Sequence, residues 1–258
     1  MRLDLYLYEK SLAKSRSYAK DLIVSGLVKV DGETVTKPSF DVGDSSVELT
    51  GELYPFVGRG GVKLDHALDS FSVDPSGKVC VDVGASTGGF TDCLLRRGAA
   101  KVYAVDSGKG QLVKKLADDP RVINLESFNA KELSRSVIKE ECEVAVCDVS
   151  FISQTLLIPN ILSLLSQDGY FVTLIKPQFE CGRSALGKGG IVKDPKQYYS
   201  AVRKVTEAAE REGFFCCGLV RSPVTGKDGN VEFLACFSKK ASQTDEKRIK
   251  EVVLCRKE

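Results

Sequence analysis

Residues 81–91 of the chain have the composition expected of a ligand-binding turn. An apolar run at 79–83 is followed by a turn that contains Gly84 and then by a helix candidate at 88–97, which begins with Gly88 and Gly89. Glycine lets the backbone approach a ligand closely, and the first turn of a helix presents free N–H groups. We therefore predict ligand contacts from Asp82, Gly84, Ala85, Ser86, Thr87, Gly88, Gly89 and Phe90.

An acidic residue follows the next apolar run. Asp106 comes directly after residues 102–105, and a carboxylate at such a strand end can accept hydrogen bonds from both hydroxyls of a ribose. The glycines alone could serve only to pack a strand tightly against a helix. Strand, glycines, helix and acid in this order instead favour a site for an adenosine-containing cofactor.

The spacing of the glycines distinguishes between two such cofactors. A dinucleotide fingerprint reads GxGxxG, whereas here Gly84 is followed by three other residues and then by Gly88 and Gly89. Asp82 adds a carboxylate that can hold the amino group of a cofactor, while a pyrophosphate would gain nothing from it. The pattern favours S-adenosylmethionine over NAD, and no residue suited to hydride transfer is evident.

Two further polar residues follow apolar runs. Asp148 comes after residues 144–147, and Lys176 comes after residues 171–175. A single Asp or Lys at a strand end is usually a surface residue. Ligands of open α/β sheets bind beyond the carboxyl ends of the strands, so we expect this pair to share the cofactor crevice.

The apolar runs predict an α/β fold for the larger part of the chain. Those at 79–83, 102–105, 144–147 and 171–175 are separated by helix-length intervals, which is typical of a doubly wound, mostly parallel sheet. Two later runs, at 214–220 and 231–237, are joined by a turn-rich loop. They predict that the last two strands of the sheet are antiparallel.

A smaller α+β unit is predicted ahead of this sheet. Ser15 is a candidate N-cap for a helix over 15–25, and two short strands follow it, at 28–30 and 33–35. The alternation of apolar residues at 3, 5 and 7, taken alone, predicts another strand.

A glycine-rich segment divides the chain. The composition of residues 51–61 predicts an interdomain linker, with one domain at 1–50 and a second at 62–240. The last segment, 241–258, mixes charges of both signs. We expect it to be a solvated helix or partly disordered.

Composition excludes several classes of protein. The 258 residues are 43% hydrophobic, yet no apolar run approaches the ~20 residues that cross a bilayer. No signal-peptide core is evident at the N-terminus, so we expect a cytoplasmic protein with no membrane segment. The nine cysteines lack CxxC spacing and lie mostly in apolar stretches, which argues against disulfides and against a metal site.

Basic residues cluster locally, although the net charge of +2 is too small to indicate a partner. Residues 1–30 contain six Lys or Arg against three Asp or Glu. The glycine-rich loop 182–190 carries two more cations and can either grip an RNA backbone or simply be solvated. The candidate RNA contacts are Arg2, Lys14, Arg16, Lys20, Arg59, Arg183 and Lys188.

The first fifty residues resemble a known RNA-binding domain. The motifs Arg2-Leu3-Asp4, Ala13-x-Ser15-Arg16-x-x-Ala19 and Val28-x-Val30-Asp31-Gly32 are similar to the S4 domain, first described in a ribosomal protein. The resemblance implies that the segment from Leu3 to Leu7 is helical, contrary to its alternation.

The rest of the chain resembles the TlyA, or hemolysin A, family of FtsJ-like ribose methyltransferases. The motif Gly58-Arg59-Gly60-Gly61-x-Lys63-Leu64 and the segments around Asp148, Lys176 and Glu232 carry the similarity, and coverage extends over about residues 2–239. The resemblance implies a Rossmann-like fold with a seven-stranded sheet and an antiparallel last strand. It also implies a ribose site formed by Lys63, Asp148, Lys176 and Glu232, and cytidine riboses of ribosomal RNA, free or in ribosomal subunits, as substrate.

Lys176 is the candidate that orients a ribose hydroxyl and takes its proton. Lys63 and partial burial would favour its neutral amine, whereas Asp148 and Glu232 would favour its ammonium. The residues therefore leave both a base and a positioning role open for Lys176.

Other functions fit the sequence less well. His66, the only histidine, and Cys181, the one cysteine placed for methylation at carbon, are both better explained as structural residues. Residues 148–151 lack the proline-rich loop of base-amine methyltransferases. A non-catalytic RNA-binding assembly factor would be expected to have lost part of the turn or of the four polar positions, and a pore-forming hemolysin would need a membrane segment. Nothing in the sequence indicates an oligomeric state.

Overall fold

The computed structural model describes residues 1–226, 229–242 and 245–254, except for the side chain of Arg183. A three-stranded and a seven-stranded sheet organise the chain. The N-terminal domain consists of α1 (Leu3–Glu9), α2 (Arg16–Val24), β1 (Val28–Val30), β2 (Glu33–Thr34) and β3 (Val47–Leu49). Its strand order is β2-β1-β3, and β1 is antiparallel to both neighbours.

The strand predicted from the alternation of Leu3, Leu5 and Leu7 is wrong. Leu3 and Leu7 are fully buried, while Leu5 is partly exposed, so the core contacts repeat every four residues as on one face of a helix. The helix implied by the resemblance is confirmed as α1. The N-cap prediction at Ser15 is also confirmed, because its side chain accepts a hydrogen bond from the backbone N–H of Tyr18.

The segment between the two sheets is held against α2. The Tyr54 hydroxyl donates to Asp21 at 2.6 Å, Lys14 Nζ donates to the Tyr54 carbonyl at 3.1 Å, and the Ser15 hydroxyl donates to the Val57 carbonyl. Helix α3 begins at Arg59 and runs to Phe71, so it includes the last three residues of the predicted linker.

The larger sheet follows α3. Its elements are β4 (Val79–Val83), α4 (Gly89–Arg96), β5 (Lys101–Val105), α5 (Lys114–Ala117), β6 (Val122–Leu125), β7 (Cys142–Cys147), α6 (Ile158–Ser163), β8 (Leu165–Ile175), α7 (Pro177–Glu180), α8 (Pro195–Arg211), β9 (Phe215–Arg221), β10 (Phe233–Ser238) and α9 (Glu246–Leu254). The strand order is β6-β5-β4-β7-β8-β10-β9. The pairs from β6 to β8 are parallel, whereas β10 is antiparallel to both β8 and β9. The predicted seven-stranded sheet with an antiparallel last strand is confirmed.

Alternate residues of the central strands pack on opposite faces of the sheet. Val81 and Val83 belong to the core beneath α6 and α8, whereas Cys80 belongs to the core beneath α3 and α4. Helices on both faces bury the parallel strands. This leaves the carboxyl ends of the strands as the place where side chains can face a ligand.

The charged segment at the C-terminus is less exposed than predicted. Ile249 and Val253 of α9 are fully buried, and α9 packs against α8 and β9. Within the described residues, no helix is both long enough and apolar enough to cross a membrane.

Candidate active site

Two adjoining cavities lie at the carboxyl ends of the parallel strands. The first, here called the Asp106 cavity, has a volume of about 410 Å³ and is lined by the ends of β4, β5 and β7 and by residues 128–130. The second, the lysine cavity, has a volume of about 310 Å³ and is lined by the N-terminal part of α3, the glycine-rich turn and the ends of β7 and β8. Gly84, Ser86, Asp148 and Ser150 line both cavities, so the two are continuous.

Gly84 brings the turn and the end of β7 into contact. Its φ is +89°, and a Cβ at this position would lie 2.6 Å from the carbonyl oxygen of Asp148. Glycine is required here both for the positive φ and for the close approach. The sequence of the turn thereby sets where Asp148 lies.

Asp106 is held in place by backbone donors. Its two carboxylate oxygens accept hydrogen bonds from the N–H groups of Ser86, at 2.8 Å, and Gly108, at 2.7 Å. Each carboxylate oxygen has a second lone pair, so Asp106 can still accept bonds from ribose hydroxyls. The position predicted for the acid is therefore compatible with its predicted role.

Two residues of the predicted contact set line neither cavity. Asp82 is fully buried beneath the turn and accepts a hydrogen bond from the Thr91 hydroxyl at 2.7 Å. Gly88, the N-cap of α4, packs against α5. The other predicted residues of the turn line at least one cavity, namely Gly84, Ala85, Ser86, Thr87, Gly89 and Phe90.

The burial of Asp82 predicts a dependence of stability on pH. Burial raises the pKa of Asp82 to about 7, so the folded protein keeps this proton where an unfolded aspartate, with a pKa near 4, has lost it. The folded state then binds more protons, and its stability should fall as pH rises from about 4 to about 7. Asp82→Asn has a neutral side chain at every pH in this range, so its stability should not show the fall that is caused by ionisation of Asp82. Melting temperatures of both proteins across this range test the effect, and parallel profiles would contradict it.

The packing of Gly88 predicts a joint loss of stability and cofactor affinity. Gly88 has φ of +98°, and a Cβ would overlap the side chain of Leu116 and lie 2.8 Å from Leu112 Cδ1. Gly88→Val should shift the end of α4 that forms the turn, lowering the melting temperature and weakening cofactor binding measured by calorimetry. Gly110→Val is the matched control, because Gly110 has φ of +63° with open space around its Cβ. Equal effects of the two substitutions would refute the packing explanation.

The four polar residues implied by the resemblance meet in the lysine cavity. Lys176 Nζ lies 2.6 Å from Asp148 Oδ1 and donates to the Ser150 hydroxyl at 2.9 Å. Lys63 Nζ lies 2.5 Å from Glu232 Oε2, and both side chains are less than one-tenth exposed. Helix α3 supplies Lys63, and the residues before β10 supply Glu232, which brings together positions 169 residues apart in sequence. The cavity thus holds two separate lysine–carboxylate pairs.

Several cavity residues were not predicted from the sequence. Phe128 lies in the loop after β6, a strand that the apolar pattern did not indicate. Ser150 and Phe151 lie two and three residues after Asp148, and this closeness in sequence was a signal that they could reach the site. Ser17 of α2 also lines the lysine cavity, although it belongs to the N-terminal domain.

Three of the candidate RNA contacts surround one acidic residue. Arg2, Arg16 and Lys20 lie 2.9, 3.1 and 3.9 Å from the carboxylate of Asp4, whose side chain is fully buried. Each of the three basic side chains remains about half exposed. The three form a surface with an excess of positive charge, here called the basic cluster.

The remaining candidate RNA contacts lie elsewhere. Lys14 donates to backbone carbonyls of the segment before α3, and Arg59 lines the lysine cavity beside Asp21. Lys188 is exposed at the start of a short 3₁₀ helix. Arg183 begins another such helix, and its side chain lies outside the described part of the structure.

The alternative catalytic residues lie outside both cavities. His66 is exposed on α3. Burial raises the pKa of the Cys181 thiol, whose sulfur donates to the carbonyl of Gln197, so Cys181 is unsuited to act as a thiolate. Among the residues that the structure describes, no group of three His, Cys, Asp or Glu side chains could hold a metal ion.

Known proteins share both parts of this architecture. The chain is 43% identical over 243 residues to Hemolysin A of Brachyspira hyodysenteriae, covering 92% of this chain and 99% of the relative. It is 42% identical over 234 residues to a Mycobacterium tuberculosis protein named 16S/23S rRNA (cytidine-2'-O)-methyltransferase TlyA, covering 90% and 87%. A solved structure of a Streptococcus thermophilus protein named as a hemolysin aligns with a TM-score of 0.80 at 40% identity, over 98% of this chain and 94% of that one.

Two family models match separate parts of the chain. The model described as FtsJ-like methyltransferase matches residues 56–239, and the model described as S4 domain matches residues 1–47. These matches confirm both resemblances predicted from the motifs. The chain therefore belongs to the FtsJ-like methyltransferase family, and an S4 domain precedes its methyltransferase domain.

Proposed function

We propose that the protein transfers a methyl group from S-adenosylmethionine to the ribose 2'-hydroxyl of a cytidine in ribosomal RNA. The observation that carries the proposal is the lysine cavity, where two lysine–carboxylate pairs meet beside the Asp106 cavity. The name of the M. tuberculosis relative supports the choice of substrate. The S4 domain supports ribosomal RNA or a ribosomal subunit as the partner, which would place the enzyme in the cytoplasm.

The Asp106 cavity fits the adenosine part of S-adenosylmethionine. Asp106 can accept hydrogen bonds from the ribose hydroxyls, and Phe128 contributes an aromatic ring to the wall. The N-terminus of α4 has no side-chain cap, so backbone N–H groups at the start of this helix are available to a ligand. Asp148, which lines both cavities, can hold the amino group of the cofactor. When bound, S-adenosylmethionine supplies an electrophilic methyl group on its sulfonium.

The lysine cavity provides the groups that act on the hydroxyl. Lys176 can donate to the 2'-oxygen, orient it, and stabilise the negative charge that develops as its proton leaves. Asp148 and Ser150 fix the position of the Lys176 amine. Lys63, held by Glu232, presents a second amine to the same space. The arrangement suits attack by a weak oxygen nucleophile.

Phe151 supports an unpaired nucleotide as the substrate. Its side chain is 92% exposed at the rim of the Asp106 cavity, and its ring lies 5.1 Å from that of Phe179. The backbone of Phe151 has φ of +64°, a costly conformation that turns the residue out of the loop. Exposed aromatic rings stack with unpaired bases. We assign Phe151 to the base next to the reacting ribose.

Labelled methyl transfer tests the proposed function. The protein is incubated with methyl-labelled S-adenosylmethionine and unmodified ribosomal RNA or isolated subunits, and modified positions are mapped. We expect the label on cytidine 2'-oxygens. Label on a base, or preferential binding of NAD, would contradict the proposal. RNA binding without transfer would instead identify a non-catalytic assembly factor.

Neutralising the basic cluster should weaken RNA binding. Arg16→Gln with Lys20→Gln removes two cations while Arg2 still pairs with Asp4, so the N-terminal domain should remain folded. Fewer released counterions should make the affinity for ribosomal RNA both weaker and less dependent on salt, by about one unit of log–log slope per lost contact. Filter binding over a range of salt concentrations measures both, and calorimetry should show unchanged cofactor affinity.

The matched control is a second pair of lysines. Lys101 is the first residue of β5 and Lys139 lies shortly before β7, both at the amino-terminal ends of the parallel strands. Lys101→Gln with Lys139→Gln therefore removes the same charge away from the cavities. If both double variants weaken RNA binding equally, the basic cluster is not a specific contact surface.

A further inference from the structure

The residues that follow Asp148 have little burial of their own. None of residues 148–153 is buried, and Phe151 is almost fully exposed. Exposed loop segments are usually mobile, yet Asp148 must stay close to Lys176. The backbone N–H of Asp148 is bonded to the carbonyl of Val83 at 3.0 Å, but the residues that follow Asp148 need further contacts outside the loop to hold them in place.

Glu180 makes the first of these attachments. It is the last residue of α7, which begins directly after Lys176, and its side chain is only 2% exposed. Its carboxylate accepts hydrogen bonds from the backbone N–H of Gln154, at 2.8 Å, and from the Ser153 hydroxyl, at 2.5 Å. One carboxylate thus joins the segment after Lys176 to the segment after Asp148.

Gln154 makes the second attachment, to β8. The side chain of Gln154 is buried, its amide donates to the carbonyl of Leu174 at 3.2 Å, and its oxygen accepts from the Thr173 hydroxyl at 2.5 Å. Thr173 and Leu174 lie just before Lys176 on the same strand. The end of the loop at Gln154 is therefore attached to the strand that precedes Lys176.

Stability of the fold does not by itself explain why a carboxylate is buried at position 180. Burying a charge is costly, and its nearest cation, Lys204 Nζ, lies 3.6 Å away on a side chain that is about half exposed. A well-packed apolar residue would avoid this cost. It could not, however, bind the backbone and hydroxyl groups of the loop.

We propose that Glu180 is a positioning residue for methyl transfer, which fixes Asp148 and its loop at the distance from Lys176 that the reaction requires. The inference rests on the proposed function, in which those two residues act at the ribose. Glu180 itself lines neither cavity, so it acts only through the loop.

Substituting Glu180 separates positioning from binding. Glu180→Ala should lower kcat by about 10²-fold, the scale expected when a reacting group moves by about 1 Å, with the KM for S-adenosylmethionine changed less than about twofold. Glu180→Gln should restore most of kcat, because the amide can still accept from Gln154 and donate to the Ser153 hydroxyl. Rates are normalised to the fraction of protein that binds cofactor, so a loss of folded protein does not count as a loss of kcat.

Two further variants make the result decisive. Glu143 accepts a hydrogen bond from the backbone N–H of Val79 at the amino-terminal ends of the central strands, far from the cavities. Glu143→Ala should therefore leave kcat unchanged. Thr173→Val removes one hydroxyl without changing the shape of the side chain and should lower kcat by about tenfold even if Glu180→Ala does not fold. Parent kcat in folded Glu180→Ala, or in Thr173→Val, would overturn the positioning role. Full activity of Lys176→Ala would instead overturn the proposed site itself.

Discussion

Replacing Lys176 with alanine is expected to lower turnover by about 10² to 10⁴-fold, the range associated with loss of a group that transfers or guides a proton. Lys176 contacts Asp148 and Ser150 in the lysine cavity, not the predicted ribose-binding carboxylate of Asp106. Affinity for S-adenosylmethionine should therefore be largely retained. Single-turnover methyl transfer and calorimetry measure the two quantities.

The matched control is Lys101→Ala. Lys101 pairs with Glu140 at 2.6 Å, the same distance as in the Lys176–Asp148 pair, but at the amino-terminal end of β5. This variant should turn over at the parent rate. Should Lys176→Ala also do so, Lys176 has no catalytic role.

Lys176→Arg distinguishes the two roles left open for the lysine. Arginine keeps a permanent positive charge and does not act as a base under ordinary conditions. Retained activity would show that Lys176 positions the hydroxyl and stabilises charge. Loss of activity, with cofactor and RNA still bound, would favour proton removal by the amine.

Changing Glu232 to glutamine should reduce both stability and turnover. Glu232 is 3% exposed and pairs with Lys63, which is itself buried, so the substitution leaves a buried ammonium without a charged partner. Breaking such a pair costs about 3 kcal/mol, which urea denaturation would detect as a lower midpoint. Turnover should fall as well, because Lys63 would no longer be held in the lysine cavity.

A double variant separates these two effects. Lys63→Met with Glu232→Met removes both charges, and replacing a buried ion pair with apolar residues is often neutral or stabilising. The double variant should therefore regain stability while remaining inactive. Recovery of turnover together with stability would mean that the pair serves folding alone.

The sheet could be predicted from the sequence where strands are buried on both sides. The apolar runs preceding Asp106, Asp148 and Lys176 are buried, and the sequence predicts the last residue of each strand, although β8 begins at Leu165, well before its predicted start at residue 171. The parallel strand β6 was not predicted because it lies at the edge of the sheet, with Ile123 and Asn124 exposed. Its loop carries Phe128, so the missed strand also concealed part of the Asp106 cavity.

Side-chain direction could not be predicted at the turn. Asp82 lies two residues before Gly84, close enough in sequence to suggest a ligand contact. Neighbouring side chains of a strand point to opposite faces, and that of Asp82 points beneath α4 to Thr91. The pairing of Lys63 with Glu232 depends on long-range packing, and the resemblance to a family implied only that both residues belong to one site.

The placement of Ser17 in the wall of the lysine cavity has a consequence for how RNA is chosen. Because α2 also carries Arg16 and Lys20, RNA phosphates bound there, as the proposed function requires, would lie on the same rigid helix as the cavity wall. The distance between the bound phosphates and the reacting ribose would then be nearly constant. Under the proposed function, the enzyme would select a nucleotide by how the folded RNA places its ribose relative to neighbouring backbone phosphates.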